Sequence, residues 1–305
     1  MIKSNNMEIR TLRYFLAVAR EENMSRAAEL LHVSQPALSK AVKSLEDELG
    51  KKLFVRHSFS IELTKEGALL RKRAEDLVSL ADRIEKEFIT LDDDLSGELY
   101  LGLAESYQIA DLAREIKKMK ERYPDLHYHI TSGDTEQLID KLNSGVLDFL
   151  VIAQEPDTSV YEALQFPKSD VWGLVFPKDD PLAKKEKITV KDLKGLPLFC
   201  SMQSWEKEIR QWAKKDYKDL ELEGSFRLSY NGSMFAKERL GYLLTFDRLI
   251  DTSEESGMVF RPLYPKLETK LYLIWNPFQT FTSAAQAFLE QIKRSFQSER
   301  ILKDR

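Results

Sequence analysis

The segment from residue 34 to residue 43 carries polar and basic side chains at the spacing of one helical face. At 100° per residue, the apolar residues from here to residue 49 share a narrow arc: Leu38, Val42, Leu45 and Leu49. The polar residues occupy a separate arc: Gln35, Pro36, Ser39, Lys40 and Lys43. Amide, hydroxyl and ammonium groups can hydrogen-bond to base edges and phosphates. The spacing predicts a helix that packs with one face and leaves the other available for contacts.

Helices and a short hairpin are predicted around this segment. Apolar spacing predicts helices over residues 8–20, 26–31 and 35–49, and strands over 53–56 and 61–64. Ser25 and Ser34 are the expected N-caps of the second and third helices, and Gly50 ends the third. Each serine also precedes helical N–H groups that suit a phosphate, so capping and phosphate binding stay open as alternatives. The order predicts a winged helix-turn-helix over residues 1–64.

A long helix is predicted over residues 65–91. Its apolar residues alternate by four and three, which is the repeat of a coiled-coil seam: Leu70, Ala74, Leu77, Ala81, Ile84, Phe88 and Leu91. An exposed stripe needs a partner, and the simplest one is the same helix of a second subunit. Packing against the chain's own globular part is the alternative. Residues 92–97 are predicted to form a hinge.

Beyond the hinge, strands and helices alternate, which indicates parallel strands with helical crossovers. The predicted strands are 98–104, 126–131, 148–153, 172–176, 196–200, 226–228 and 271–275. The predicted helices are 109–122, 135–144, 204–215, 234–240 and 282–296. Two α/β lobes with a cleft between them are expected, one from 97–160 plus 270–305 and the other from 161–269. Ligands of such folds bind beyond the carboxyl ends of the strands.

Charge is unevenly distributed along the 305 residues. The whole chain has 46 Lys and Arg against 50 Asp and Glu, for a net charge of −4. Residues 1–73 hold 14 basic and 9 acidic side chains, whereas the remainder holds 32 and 41. This asymmetry hints at a segment that faces nucleic acid joined to an acidic segment, and ordinary surface variation is the alternative.

Several function classes find no support in the sequence. No apolar stretch is long enough to span a membrane and the N-terminus lacks a signal-peptide core, so we expect a cytoplasmic protein. Cys200 is the only cysteine, and the four histidines form no convincing metal site, so neither metal nor cofactor is expected. No nucleophile motif or glycine-rich phosphate loop suggests an enzyme.

A dense series of motifs runs through FLAVA at 15–19, SRAAELLHVSQPALSK at 25–40, LEDELG at 45–50, LFVR at 53–56 and LTKEG at 63–67. This series resembles the DNA-binding domain of LysR-type transcriptional regulators. The similarity extends into the second half at residues 101–102, 122–124, 145–148, 273–275 and 285–289. The resemblance implies an α/β multi-domain chain: a winged helix-turn-helix, a linker helix and a two-lobed effector domain like periplasmic binding proteins.

The resemblance also implies a function and its residues. It describes a homodimer or homotetramer that binds double-stranded promoter DNA, with a small effector in the cleft that changes how the DNA is bent. RNA polymerase is a further expected partner, and a membrane is not. The residues expected at the DNA are Ser34, Gln35, Pro36, Ser39, Lys40, Lys43 and, in the wing, Arg56. Lysine stands at residue 40, where the family often has arginine, and lysine lacks bidentate geometry.

The effector residues are implied by the same resemblance: Glu105, Ser106, Tyr107, Asp134, Thr135, Cys200, Ser201 and Thr245. Ser106 and Thr135 at helix starts would suit an anion, whereas Glu105 and Asp134 would oppose one, so an anionic and an amine-bearing or amphoteric effector are both open. Helix capping alone is the other interpretation. Cys200 is expected to be a buried or pocket-lining thiol, with redox sensing as the alternative. A two-lobed enzyme and an exported solute-binding protein are the rival functions, and neither explains residues 1–91.

Overall fold

The computed structural model describes residues 7–57, 60–90 and 96–303. The chain divides into two compact units: Met1–Asp92, which we call the head, and Asp93–Arg305, which we call the lobed unit. Leu91 of the predicted seam and residues 92–95 of the predicted hinge lie outside the described residues.

The head contains helices followed by a small hairpin and a long helix. Its elements are α1 Ile9–Glu21, α2 Met24–Leu30, α3 Gln35–Leu49, β1 Phe54–Arg56, β2 Ile61–Leu63 and α4 Lys65–Thr90. The two strands are antiparallel, with Phe54 opposite Leu63 and Arg56 opposite Ile61. The predicted winged helix-turn-helix is therefore confirmed.

The apolar faces of these helices meet in one core. Leu12, Phe15 and Val18 of α1 are buried against Leu38, Val42 and Leu45 of α3, together with Ala27, Leu53, Phe54 and Ala74. The rings of Phe15 and Phe54 lie 5.2 Å apart, so α1 packs directly on the first wing strand. Each buried Leu, Val or Phe side chain in this core contributes roughly 1.5 to 3 kcal/mol of transfer free energy.

The helix boundaries follow local capping chemistry, with one correction. The predicted N-cap of α2, Ser25, is wrong: Asn23 caps this helix, and its side chain accepts hydrogen bonds from the N–H groups of Ser25 and Arg26 at 2.9 and 3.1 Å. The other two predictions are confirmed. Ser34 caps α3 by accepting from the N–H of Ala37 at 3.4 Å, and Gly50 ends it in the left-handed region with φ 65°.

The apolar stripe of α4 is divided between two environments. Ala74 is fully buried in the core of the head, and Leu70 packs beside it. Farther along, Leu77, Ile84 and Phe88 are 41%, 46% and 72% exposed. Packing on the chain's own globular part therefore accounts for Leu70 and Ala74. It does not account for Leu77, Ile84 and Phe88.

The lobed unit is built around a long mixed sheet. Its strands are β3 Ser96–Leu103, β4 Asp125–Ser132, β5 Phe149–Ile152, β6 Glu162–Pro177, β7 Ile188–Thr189, β8 Pro197–Ser201, β9 Glu221–Phe226, β10 Tyr242–Phe246, β11 Met258–Tyr264 and β12 Glu268–Trp275. Its α-helices are α5 Ile109–Arg122, α6 Thr135–Asn143, α7 Val190–Leu193, α8 Met202–Ser204, α9 Arg210–Ala213, α10 Ser229–Lys237 and α11 Ser283–Lys303. A π-helical turn, Trp205–Ile209, joins α8 to α9, and 3₁₀ turns cover Pro181–Lys184 and Lys214–Asp219.

Strand order shows two lobes that share one strand. The path is β4-β3-β5-β12-β6-β10-β8-β9, with β11 beside β6 and β7 beside β11. Residues 162–171 of β6 pair with β12, whereas residues 172–177 pair with β10 and β11. β3 is parallel to β4 and β5, and β8 is parallel to β9 and β10. This confirms the predicted two-lobed α/β architecture.

Some elements differ from the sequence predictions. The strand predicted at 172–176 is only the end of β6, because residues 162–171 continue it into the first lobe. β10 and β11 were not predicted, and α10 begins at Ser229 instead of residue 234. The strand predicted at 226–228 is β9, which ends at Phe226 after alternating exposed and half-buried residues.

Candidate nucleic-acid interface and ligand cavity

The outer face of α3 is a polar surface with exposed side chains. Gln35, Lys40 and Lys43 are exposed, and their side chains make no hydrogen bond or ion pair within the described part of the chain. Ser34 and Pro36 are also exposed at the start of the helix, and Ser39 is half-buried. Because Leu38, Val42 and Leu45 are at most 1% exposed, the helix cannot rotate these polar groups inward.

An acidic residue on α3 holds the wing in place. Glu46 is 6% exposed, and its carboxylate accepts from the N–H groups of Leu53 and Phe54 at 2.9 and 3.3 Å. Lys52 Nζ lies 2.8 Å from the other oxygen. Burial raises the pKa of Glu46, but the bonds from Lys52, Leu53 and Phe54 outweigh it and leave the pKa below its ordinary value. Glu46 is therefore an acidic residue of the basic head with a structural role, because it fixes the first wing strand to α3.

The wing is also anchored from its far end. The hydroxyl of Thr64 donates to the backbone oxygen of Lys52 at 2.7 Å and accepts from the N–H of Gly67 at 2.9 Å. A Cβ on Gly67 would lie 2.1 Å from the backbone oxygen of Leu53. Arg56 is the last residue of β1, and its contact with DNA stays a prediction. Residues 58 and 59 at the wing tip lie outside the described residues.

A cavity of about 1040 Å³ lies between the two lobes of the lobed unit. The first lobe contributes residues that follow β3, β4 and β5, and the second lobe contributes the ends of β8 and β9, the start of α10, and β10. This is the carboxyl edge of the parallel strands, as expected for α/β folds. A π-helical turn reaches the cavity wall at Glu206, and such turns are frequent at functional sites.

The predicted effector residues divide into two groups. Five of them line the cavity: Glu105, Asp134, Thr135, Ser201 and Thr245. Three do not: Ser106, Tyr107 and Cys200. Placement in the wall does not show binding, so the role of the first group stays a prediction.

The three residues outside the cavity have other surroundings. Ser106 accepts from the N–H of Gln108 at 2.9 Å in the turn before α5. Tyr107 is 45% exposed and lies under the guanidinium of Arg248, 4.9 Å from the ring centre. Cys200 belongs to the core of the second lobe, and burial, with Glu208 nearby, raises the pKa of its thiol far above the ordinary value. Side chains alternate along β8, so Ser201 reaches the cavity while Cys200 points away from it.

Sequence reasoning missed much of the cavity wall. The polar residues that it missed are Glu136, Asp140, Gln154, Gln203, Ser204, Glu206, Ser225, Arg227 and Ser229. The apolar residues that it missed include Trp172, Phe226, Leu244 and Leu249. Position at a strand end was an available signal for Gln154, which follows β5, and Arg227, which follows β9.

Polar contacts join the two lobes across this cavity. Glu105 Oε2 accepts from the N–H of Ser229 at 2.5 Å, and Asp134 pairs with Arg227 at 3.3 Å. The side-chain amide of Gln203 donates to Gln154 at 2.9 Å. These contacts use residues of the cavity wall, so a molecule in the cavity would meet groups that also join the two lobes.

A buried carboxylate lies on β6 where the strand passes between the lobes. Asp170 is 2% exposed; its Oδ1 accepts from Gln108 Nε2 at 3.3 Å, and its Oδ2 has no hydrogen-bond partner within the described residues. Burial raises the pKa of Asp170 to about 6, with hydrogen bonds from Ser106 and Gln108 opposing the shift and Asp247 adding to it. This group is partly protonated near neutral pH.

Metal ligation and membrane insertion find no candidate in the described ranges. No group of three or more His, Cys, Asp or Glu there could hold a metal ion. His129 is engaged by Glu98 and stacks on Tyr100 with 4.6 Å between ring centres. No helix within those ranges is long and apolar enough to cross a bilayer.

Two family models match the two units. Residues 9–68 match the bacterial regulatory helix-turn-helix protein of the LysR family, and residues 92–297 match the LysR substrate binding domain. The chain belongs to the LysR family. The resemblance seen in the sequence is thereby confirmed for both halves.

Relatives of this LysR-family chain are named as transcriptional regulators. It is 31% identical over 194 residues to the hydrogen peroxide-inducible genes activator of Pectobacterium carotovorum, and the match covers 63% of this chain and 64% of the relative. It is 37% identical over 146 residues to the HTH-type transcriptional regulator BsdA of Bacillus subtilis, which covers 48% and 50%. The matches thus span less than two thirds of these relatives' lengths.

Solved structures share the fold over nearly the whole chain. The LysR family regulator CbnR superposes with a TM-score of 0.76 at 19% identity, covering 95% of this chain and 99% of CbnR. Full-length CbnR in complex with its target DNA gives a TM-score of 0.74 at 19% identity, covering 95% and 100%. At this identity the likeness shows the fold alone.

Proposed function

We propose that this chain is a sequence-specific DNA-binding transcriptional regulator whose promoter binding changes when a small molecule occupies the cavity of the lobed unit. The observation that carries the proposal is the exposed face of α3. Gln35, Lys40 and Lys43 project from a tightly packed helix and have no partner within the described residues. A rigid helix with unengaged polar groups is what major-groove recognition requires.

The residue types suggest a division of labour on DNA. Gln35 suits bidentate pairing with adenine, and Pro36 offers an apolar contact to a thymine methyl. Lys40 suits guanine acceptors or a phosphate, and Lys43 a phosphate. The proposed interface is completed by contacts to the sugar-phosphate backbone of the DNA from Ser34, Ser39 and the wing residue Arg56.

We further propose that the regulator is a homodimer or homotetramer. Leu77, Ile84 and Phe88 of α4 lie exposed along one stripe, and a second copy of the helix would cover them. A twofold assembly would present two copies of α3 to two DNA half-sites. RNA polymerase is proposed as a further partner, and the cytoplasm as the compartment where the chain meets DNA.

The proposed domains are a DNA-binding domain at 1–64, a linker helix at 65–91 and an effector domain at 97–305. Pairing of residues 162–171 with β12 favours a lobe boundary near residue 171, and residues 268–269 of β12 pair back with Asp170 and Val171. The second lobe then covers about 172–267. Limited proteolysis between the head and the lobed unit would test the first boundary.

The hydrogen-peroxide relatives raise peroxide sensing as a second function for this chain. The buried Cys200 thiol, with its raised pKa, is a poor nucleophile toward peroxide, because the thiolate is the reactive form. The open cavity favours a bound effector instead. We therefore propose ligand control without cysteine chemistry, and no enzymatic reaction.

Binding to DNA is the direct test. Fluorescence anisotropy would compare the full chain on a duplex from its own upstream intergenic region with a shuffled duplex of equal composition. A regulator should bind the first roughly a thousandfold more tightly at physiological salt. Equal affinity for both duplexes would contradict sequence-specific binding, and absence of binding would contradict the function altogether.

A further inference from the structure

We infer that the effector carries a protonated amine, an inference that rests on the proposed function and names the ligand class of its cavity. The described residues of the wall include five carboxylates and one guanidinium: Glu105, Asp134, Glu136, Asp140, Glu206 and Arg227. Like charges in a partly enclosed site raise the cost of bringing in an anion. A cation is attracted by the same field.

Two helix starts at the cavity, those of α6 and α10, already hold carboxylates of the chain, whereas the start of α8 is capped by the Ser201 hydroxyl. α10 begins at Ser229 without a side-chain cap of its own, and Glu105 from the opposite lobe accepts from the Ser229 N–H. Asp134 caps α6 by accepting from the N–H of Gln137 at 3.0 Å. At α6 or α10 an anionic effector would have to displace one of these groups, because a helix N-terminus favours the negative charge that is already there.

The guanidinium in the wall is engaged as well. Arg227 pairs with Asp134 across the lobes, 3.3 Å from its carboxylate oxygen. A carboxylate or phosphate ligand would compete with Asp134 for this group. An ammonium group faces no such competition, because it can add to the outward oxygen lone pairs of carboxylates such as Glu105.

The apolar wall suits the remainder of such a ligand. The rings of Trp172 and Phe246 lie 4.5 Å apart at the side of the cavity, and Leu244 and Leu249 extend this surface. The indole N–H of Trp172 is bound by Thr269 at 2.8 Å, which fixes the ring. Aromatic rings attract cations as well as apolar groups, so an amine on a hydrophobic body matches both parts of the wall.

A matched series of small probes tests this assignment on the full chain. Calorimetric titration and thermal shift would compare 2-phenylethylamine and 1,5-diaminopentane with phenylacetate, glutarate and the neutral 2-phenylacetamide. We expect at least one amine to bind at millimolar concentration and the acids and the amide to bind more weakly. Binding of an acid in preference to its matched amine, or of no amine at all, would overturn the inference.

Variants locate the site and keep the test independent of folding. Glu105→Gln retains an oxygen that can accept from Ser229, so the lobes stay joined, and it should weaken amine binding by about tenfold through the loss of one charge-assisted contact. Glu121→Gln removes an exposed carboxylate of α5 outside the cavity and should leave binding unchanged. Equal effects of both variants would contradict binding in the cavity.

The promoter duplex separates this inference from the proposed function. An acid that binds the cavity and changes DNA affinity would overturn the amine assignment while supporting effector control. An amine that binds the cavity without changing DNA affinity would support the assignment and contradict effector control.

Discussion

The surface of α3 and the cavity of the lobed unit are both polar, but they are built in opposite ways. On α3, the side chains of Gln35, Lys40 and Lys43 come from about two turns of a single helix and stand exposed, with no partner among the described residues. In the cavity, side chains already bind groups of distant segments, as the Glu105 carboxylate does with the backbone N–H of Ser229. A molecule that binds α3 therefore meets polar side chains that are not yet engaged. A ligand of the cavity must add to existing contacts or replace them.

Buried carboxylates show the same contrast. Glu46 in the head has its charge bound by Lys52 and two backbone N–H groups, and its pKa is lowered. Asp170 between the lobes has one oxygen without a partner within the described residues, and its pKa is raised to about 6. A buried carboxylate whose oxygens are all hydrogen-bonded, such as Glu46, stabilises one fixed structure. A buried carboxylate with an oxygen left unbonded, such as Asp170, destabilises the folded state, and protonation or a new hydrogen-bond donor would remove that cost.

The largest expected effect tests how tightly the head is built. Gly67→Ala places a methyl group 2.1 Å from a backbone oxygen, so α4 must move away from the wing. We expect a loss of about 3 kcal/mol in the unfolding free energy of the head. Gly102→Ala in β3 is the matched variant, because its methyl group meets only the ends of Leu147 and Leu150. Calorimetry would measure the unfolding free energy of both variants. Equal losses would contradict the claim that the contact between α4 and the wing is the tighter of the two.

Glu46→Ala should be the next largest change. It leaves the N–H groups of Leu53 and Phe54 buried without an acceptor, which costs about 2 to 3 kcal/mol at pH 7. A lowered pKa contributes stability above the unfolded value near 4.5 and loses it as pH falls through the folded value. The difference from the parent chain should therefore shrink in acid. Asp47→Ala, an exposed neighbour, is the control, and chemical denaturation at several pH values is the measurement.

Asp170→Asn should act in the opposite direction. A raised pKa means that the ionised form costs stability, and this cost grows as pH rises from about 3.8 to about 6. The variant should be up to about 3 kcal/mol more stable than the parent at pH 8 and no more stable below pH 4. Melting temperatures across this range would decide it. A variant that is less stable at pH 8 would show that the charge of Asp170 is needed in the folded state.

Local signals made the head predictable from sequence. Ser34, Pro36 and Gly50 mark the ends of α3 through chemistry confined to a few residues, and the apolar spacing identifies its buried face. The error at Asn23 has a simple source: asparagine and serine are both good caps and stand two residues apart. Which one acts depends on how α1 ends, and the spacing of apolar residues does not determine that.

The cavity depended on contacts that are distant in sequence. Glu105 and Ser229 are 124 residues apart, and no local pattern links them. The family resemblance implied that Cys200 is an effector residue, but the side-chain alternation of β8 turns it into the core. β6 was found only in its last third, because its first part alternates in burial around polar residues such as Lys168 and Ser169.

The comparison of Gln35 with Lys43 tests the central claim, that the exposed face of α3 reads DNA sequence. Gln35→Ala should cost about 1 to 3 kcal/mol on the specific duplex and little on a shuffled one. Lys43→Ala should weaken binding to both duplexes and reduce the slope of log affinity against log salt by about one. Anisotropy titrations of both variants at several salt concentrations give this result directly. Equal losses on specific and shuffled duplexes for both variants would contradict the account.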